Sequence, residues 1–230
     1  QTGCGSGAAG QAEPVELGGA EVTTTVLYNP DSSSGYSADV QKVVDSAPEA
    51  VAVIGFNDDG AQILNEMIGQ GAGPAAIPIY TADGMQSSTL GETVDPSDPT
   101  KIAGIKGTAP AAAPAGIEHP FTAKFAETEV DPIFSAYYYD CTNLMALAIE
   151  AAGSDDGADV QAAFAKNLEG DNDCQTFAEC KQFLGAGETI HYRGASSAFD
   201  SWETMEPGTG VYDVWQYDAE GAVETLDVEQ

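Results

Sequence analysis

The chain has 230 residues, 43% of them hydrophobic, which is enough for one large core or two smaller ones. Its 37 Asp and Glu against 7 Lys and Arg leave a formal net charge of -30, which argues against nucleic acid or an anionic membrane as partner and suits small cations or zwitterions. So large an acidic excess is also what a surface adapted to high salt carries, and that reading says nothing of substrate.

Residues 1 to 19 are rich in Gly and Ala with Pro14 in the middle, a weak helix at best and not an intact signal peptide, so a leader has been removed or lies outside the sequence. Glu21 to Tyr28 is β-branched with partial alternation and predicts a strand, turned by Tyr28-Asn29-Pro30-Asp31. Ser37 then reads as the cap of a helix with Val40, Val43 and Val44 on one face, ended by Pro48.

The next stretch organises the chain. Val51-Ala52-Val53-Ile54 is a solid apolar run, short enough for a strand buried on both faces, and it stops on Gly55-Phe56-Asn57-Asp58. From Gly60, Ile63, Leu64, Met67 and Ile68 fall at helical spacing, and Gly69, Gly71, Gly73 and Pro74 end the pattern before a second strand, Ile77-Pro78-Ile79-Tyr80. A strand-helix-strand crossover makes the strands parallel, and open parallel sheets bind ligands at the carboxyl ends of their strands. Those ends carry Phe56-Asn57-Asp58 and Thr81-Ala82-Asp83. The strand-helix rhythm predicts an α/β fold.

From Met85 to Thr100 the pattern dissolves into Ser, Thr, Asp and Pro; a short strand and a Pro- and Ala-rich stretch follow, the first candidate for a lobe boundary. Phe121 and Phe125 suggest a helix. Ser135 to Gly153 is the strongest helix, its apolar Tyr138, Cys141, Leu144, Met145, Ala148 and Ile149 recurring at helical spacing, and a further helix spans VQAAFAKNL. The chain ends in strands, with a turn signal at Asp218-Ala219-Glu220-Gly221.

Motifs that would carry catalysis are missing: there is no G-x-S-x-G elbow, H-E-x-x-H, P-loop or zinc cysteine pattern, so no cofactor or metal is expected. Two scattered His and one Arg make triad or phosphoryl-transfer chemistry hard to assemble. Asp58, Asp59 and Asp83 could converge as an acid/base pair, but among 37 acidic residues coincidence explains them as well, and a non-enzyme is the preferred reading. Asp83 is either the partner of a ligand ammonium or a helix cap or solvated residue. Asn57 is either a ligand contact or the N-cap of its helix, and Phe56 either walls an apolar pocket or belongs to the core, the structural role being favoured for both. Tyr137, Tyr138 and Tyr139 would spread around a helix, and Trp202 and Trp215 receive no role. His119 and His191 are isolated. Cys174 and Cys180 share a short polar segment, and with no second Cys or His pair a disulfide is expected, and with it an oxidising, extracytoplasmic compartment.

Taken together, YNPDSSSGYSADVQKVVDSAPEAVAVIGFNDDGAQILNEM, IPIYTADGM, AYYYDCTNLMALAIEAAGS, HYRGASSAFD and VYDVWQYDAEG resemble the substrate-binding proteins of branched-chain amino acid ABC transporters, from about Glu21 onward. The resemblance implies a two-lobe, type I periplasmic-binding-protein fold with parallel doubly wound sheets, closing by hinge motion on an amino acid and delivering it to a membrane permease. It implies that Asp83 holds the ligand ammonium and that Phe56 and Asn57 contact the ligand, Phe keeping the wall of a position often held by Tyr. Cys4-Gly5-Ser6-Gly7 aligns with a Tyr-Gly-x-Gly segment, so Cys4 replaces a ligand-facing tyrosine; Cys4 also resembles a lipobox cysteine after Thr2-Gly3, which would make the protein a cell-surface-anchored lipoprotein. Cys174 and Cys180 resemble a cysteine pair of some secreted Gram-positive members. The departure is an incomplete N-terminal lobe: residues 1–109 match the second lobe, 110–208 a remainder of the first, and 209–230 a return to the second. The groups that grip the ligand carboxylate are then missing, and weak ligand binding is expected of the chain alone. A sensory ligand-binding domain of the same fold is the alternative, and a carboxylate-based enzyme the least favoured.

Overall fold

Val51 to Thr81 fold as a strand, a helix and a strand in a computed structural model that describes residues 21–30, 32–111, 118–128, 133–199, 202–203, 206–207 and 210–229. Strand β1 (Val51–Val53) pairs in parallel with β2 (Ile79–Thr81), Val51 opposite Ile79 and Val53 opposite Thr81, and β2 pairs in parallel with β3 (Lys106–Pro110), Tyr80 opposite Lys106. The connecting helix α2 (Asn57–Gly69) buries Ile63, Leu64 and Met67, the periodic positions of the sequence. It ends as a Schellman motif: Gly71 takes a φ of 77°, which lets Gly71 N–H reach Ile68 O and Ala72 N–H reach Met67 O. Burial of Leu64, Ile79, Met85, Leu90 and Ile102, all at or near zero exposure, contributes about 1.5–3 kcal/mol for each side chain.

Several local expectations are corrected. Glu21 to Tyr28 is not a strand: it runs without ladder bonds and leaves Val22 and Leu27 exposed, because β propensity yields a strand only where a neighbouring edge and a face to bury are both present. Helix α1 (Ser37–Asp45) is entered through Tyr36, not capped by Ser37. The buried Tyr36 donates its hydroxyl to Pro30 O at 2.7 Å and so fixes the entry, while Ser37 is already helical. β1 is not buried on both faces, since Ala52 and Ile54 are exposed; it stands at the edge of a five-stranded sheet, with β2 as its one neighbour among the described residues. The stretch from Met85 to Thr100, where periodicity vanishes, supplies core: α3 (Leu90–Val94) and the 3-10 turn Pro99–Ile102 bury Leu90, Val94 and Ile102.

The remaining elements are α4 (Pro120–Phe125), α5 (Ser135–Ala152), α6 (Gly157–Lys166), β4 (Asn172–Cys174), α7 (Phe177–Gly185), β5 (Ile190–Tyr192), β6 (Trp202–Glu203), β7 (Glu206–Pro207), β8 (Tyr212–Tyr217) and β9 (Val223–Glu229). β4 and β5 are parallel, and β6 and β7 form a short antiparallel pair. The turn between β8 and β9 is built by Asp218, whose carboxylate accepts from Glu220 N–H and Ala222 N–H. The chain divides into two compact units, with boundaries after Gly107, Trp215 and Glu224, so the backbone passes between them three times.

The second unit has its own core of Leu144, Leu147, Leu168, Cys174, Cys180, Ile190, Tyr192 and Phe199. Cys174, at the end of β4, and Cys180, inside α7, are joined by a disulfide with a Cα–Cα distance of 5.3 Å, so the pair bridges a strand end and a helix rather than lying in a loop. His119 is a buried N-cap: its Nδ1 accepts from Phe121 N–H at 3.0 Å, and its Nε2 therefore donates to Gln175 O at 2.8 Å. α5 has the expected extent, closed by Gly153 at a φ of 61°, but only part of the expected face. Leu144 and Ala148 are buried as expected, together with Ala136, Asp140 and Leu147, whereas Tyr138, Cys141, Met145 and Ile149 are exposed. The reason is Asp140, which accepts from Tyr192 Oη (2.8 Å), Ala195 N–H (2.9 Å), Ser196 N–H (2.7 Å) and Ser196 Oγ (2.6 Å) and turns its side of the helix inward. Among the described residues no helix is long and apolar enough to cross a membrane.

Candidate functional site at the carboxyl ends of β1 and β2

Because Val53 and Thr81 are paired, the segments Phe56-Asn57 and Ala82-Asp83 leave the sheet side by side. They touch at Gly84: a Cβ there would stand 2.5 Å from Gly55 O and 3.1 Å from Phe56 Cδ1, so only glycine lets the two loops close on each other. Phe56 is 73% exposed, which removes it from the core and makes its ring a free apolar wall beside the Asp83 turn.

The cap of α2 is not Asn57 either. Phe56 is the N-cap residue by backbone, and Asp59 supplies the chemistry, its Oδ1 accepting from Phe56 N–H at 3.1 Å. Asp59 Oδ2 accepts from the Tyr28 hydroxyl, which also lies 3.1 Å from Ile54 O. Burial first, and then the Asp59 carboxylate, hold the Tyr28 hydroxyl well above the usual phenol range, so it stays a donor. Sequence reasoning gave the Tyr28 side chain no role and weighed Asp59 only as an acid/base candidate, not as a cap; an Asp three positions after a strand-ending residue was the available signal. Both Asp59 oxygens are engaged, Oδ1 in the cap and Oδ2 by Tyr28, so Asp59 serves the fold and not an acid/base pair with Asp83, and Asp58 is exposed. Asn57, freed from capping, has an amide oxygen that is buried and without a hydrogen-bond partner among the described residues, as is the Thr81 hydroxyl oxygen at the end of β2.

Asp83 opens the 3-10 turn Asp83–Met85 and is partly exposed; its carboxylate makes no hydrogen bond or ion pair among the described residues. It is therefore not a side-chain cap. The turn beneath it is fixed from two sides. Met85 is fully buried against Gly60 of α2, where a Cβ would stand 2.7 Å from Met85 Cε. Tyr217 of β8 accepts from Ser87 N–H at 3.0 Å and directs its own hydroxyl toward Met85 O at 2.7 Å and Ser87 O at 2.9 Å. A carboxylate unengaged among the described residues thus sits on a held turn whose Gly84 packs against the exposed Phe56 ring. Cys4 lies outside the described residues, and among the described residues no group of His, Cys, Asp and Glu could hold a metal.

No protein-family model matches the chain, and no curated protein matches it. Solved structures do. A leucine-binding protein from Thermotoga maritima superposes with a TM-score of 0.59 at 20% identity, over 84% of this chain and 48% of that one. A type 1 periplasmic binding protein from Bordetella pertussis gives 0.58 at 19% identity, over 90% and 53%. The chain has the type I periplasmic-binding-protein fold. An ABC transporter solute-binding protein from R. palustris, solved with 4-hydroxybenzoate, is similar at a TM-score of 0.58 and 14% identity, over 92% and 53%. The chain spans about half the length of these structures. Within this type I periplasmic-binding-protein fold, the parallel β1-β2-β3 ladder places Phe56, Asn57 and Asp83 together where ligands of parallel sheets bind.

Proposed function

We propose that the chain is the extracytoplasmic solute-binding component of an ABC transporter, and that its ligand is an amino acid of the branched-chain type or a similar small polar solute handed to a membrane permease. The observation that carries this reading is Asp83: a carboxylate without a partner among the described residues, on a turn held by Met85 and Tyr217, at the carboxyl end of a parallel strand. A ligand ammonium has three donors, and the partly exposed Asp83 carboxylate offers acceptors for them, a charge-assisted contact worth about 1.5–3 kcal/mol. The exposed Phe56 ring supplies the apolar wall for a ligand side chain. Residues 1–109 and 209–230 as second lobe, and 110–208 as the remainder of the first, belong to the same proposal, as does anchoring through Cys4. On it the groups that grip the ligand carboxylate come from outside these 230 residues, and leucine binds with a Kd of about 1 mM or weaker.

Amide chemical shifts of the 230-residue chain are followed during titration with L-leucine and with 4-methylpentanoate, which lacks the ammonium. Leucine is expected to shift residues 55–57 and 83–85, and Asp83→Asn to weaken it roughly tenfold. Equal shifts from 4-methylpentanoate, or undiminished leucine affinity in Asp83→Asn, would remove Asp83 from the ammonium role.

A further inference from the structure

The strands that carry Asp83 at one end border a groove at the other. It has a volume of about 370 Å³ and is lined by Pro74, Ala75, Ala76, Ile77, Pro78, Ile79, Tyr80, Gly104 and Lys106, at the amino ends of β2 and β3. That volume is within the range of small-molecule sites, about 300–1,000 Å³. Tyr80 and Lys106 are opposite each other in the β2–β3 register and both exposed, so the ring and the ammonium-bearing side chain share one face at the strand spacing of about 4.8 Å.

Two features set this groove apart from the rest of an acidic chain. None of its nine lining residues is Asp or Glu, although these make up 37 of the 230 residues. Lys106, one of only 7 cations, has no carboxylate partner among the described residues, like Lys124 and Lys166 and unlike Lys42, Lys101 and Lys181. The apolar wall is preformed: Gly73 O accepts from Ala76 N–H at 2.9 Å and Ile77 N–H at 3.0 Å, and Pro78 O accepts from Val51 N–H at 3.0 Å. Little conformational entropy remains to be lost there on binding.

We propose that this groove is a second binding site, for a small organic anion with a carboxylate on a flat apolar body. The carboxylate sits at Lys106, and the body lies against the Tyr80 ring and the Pro74–Pro78 wall. The negative field of the chain does not prevent it at about 0.15 M salt, where the Debye length of about 8 Å screens distant charges and leaves the direct Lys106 contact. The site is independent of the Asp83 reading, because it uses other residues and the opposite ends of the strands.

The test titrates the 230-residue chain with benzoate and with neutral benzamide, reading amide shifts. Benzoate is expected to bind in the millimolar range, about 1–10 mM, and to shift residues 74–80, 104 and 106; benzamide is expected to bind roughly tenfold more weakly. Lys106→Gln should lose roughly tenfold in benzoate affinity, Lys106→Arg should stay within about threefold of the parent, and Tyr80→Ala should lose about three- to tenfold. Asp83→Asn should leave benzoate binding unchanged, which separates this site from the amino acid site. Shifts elsewhere than the groove, equal binding of benzamide, or benzoate affinity retained in Lys106→Gln would overturn the proposal. Should Lys106→Gln lose its fold by circular dichroism, the benzoate-benzamide comparison on the parent chain decides the question alone.

Discussion

Asp140→Asn is expected to destabilise the second unit by about 3 kcal/mol, within a range of about 2–5 kcal/mol. Asp140 is 1% exposed, and each of its oxygens takes two donors: Oδ1 those of Tyr192 and Ala195, Oδ2 the N–H and hydroxyl of Ser196. An amide in either orientation keeps one oxygen and turns an NH₂ group on the other pair. Each pair contains one hydroxyl, which can rotate to accept, and one backbone N–H, which cannot. One buried N–H is therefore orphaned at about 1–3 kcal/mol, and the two retained bonds lose their charge-assisted strength at about 0.5–1 kcal/mol each. Relief from burying a charge offsets part of this, which places the expectation at about 3 kcal/mol, below the middle of the range. The assay is urea unfolding at fixed ionic strength, followed by circular dichroism; guanidinium is unsuitable because its own salt screens a chain of net charge -30. With an m value of about 1.5–2 kcal/mol per molar, the midpoint of the second unit should fall by about 1.5–2 M. Cys141→Ser, one residue along and exposed, is the control and should stay within about 0.5 kcal/mol of the parent. An Asp140→Asn variant as stable as that control, at unchanged m, would show that the four donors do not hold α5.

Two further outcomes concern charge. Burial first, and then the Asp140 charge, raise the Tyr192 hydroxyl above the ordinary phenol value, so its contribution is fully present below the unfolded value of about 10 and is lost as pH rises beyond it. Stability should fall above about pH 10, by up to about 1.4 kcal/mol per pH unit from this group, and Tyr192→Phe should fall less steeply; equal slopes would refute the assignment. The net charge of -30 predicts a Tm that rises by about 5–10 °C between 0.05 and about 1 M KCl as self-repulsion is screened, and a Tm that stays flat or falls would show that the acidic surface does not strain the fold.

What the sequence made legible, and what it did not, divides by the distance over which the deciding interaction acts. Helix α2 was readable because Ile63, Leu64 and Met67 state their face within two turns, and the meeting of Phe56 with Asp83 was readable because a parallel crossover brings strand ends together whatever the side chains are. The face of α5 was legible only at Leu144 and Ala148. Tyr138, Met145 and Ile149 form as regular a stripe as the buried one, and the choice is made by donors more than 50 residues away, at Tyr192, Ala195 and Ser196. The cap of α2 failed in the same way: Asn57 and Asp59 are both good capping residues, and the Tyr28 hydroxyl, 31 positions upstream, settles on Asp59. This bears on how a functional acid is told from a structural one in a chain with 37 of them. Asp59 and Asp140 are buried with donors on both oxygens and serve the fold. Asp83 has none among the described residues and stands on a turn held at Gly84, Met85 and Tyr217, which is what singles it out for the proposed ligand contact.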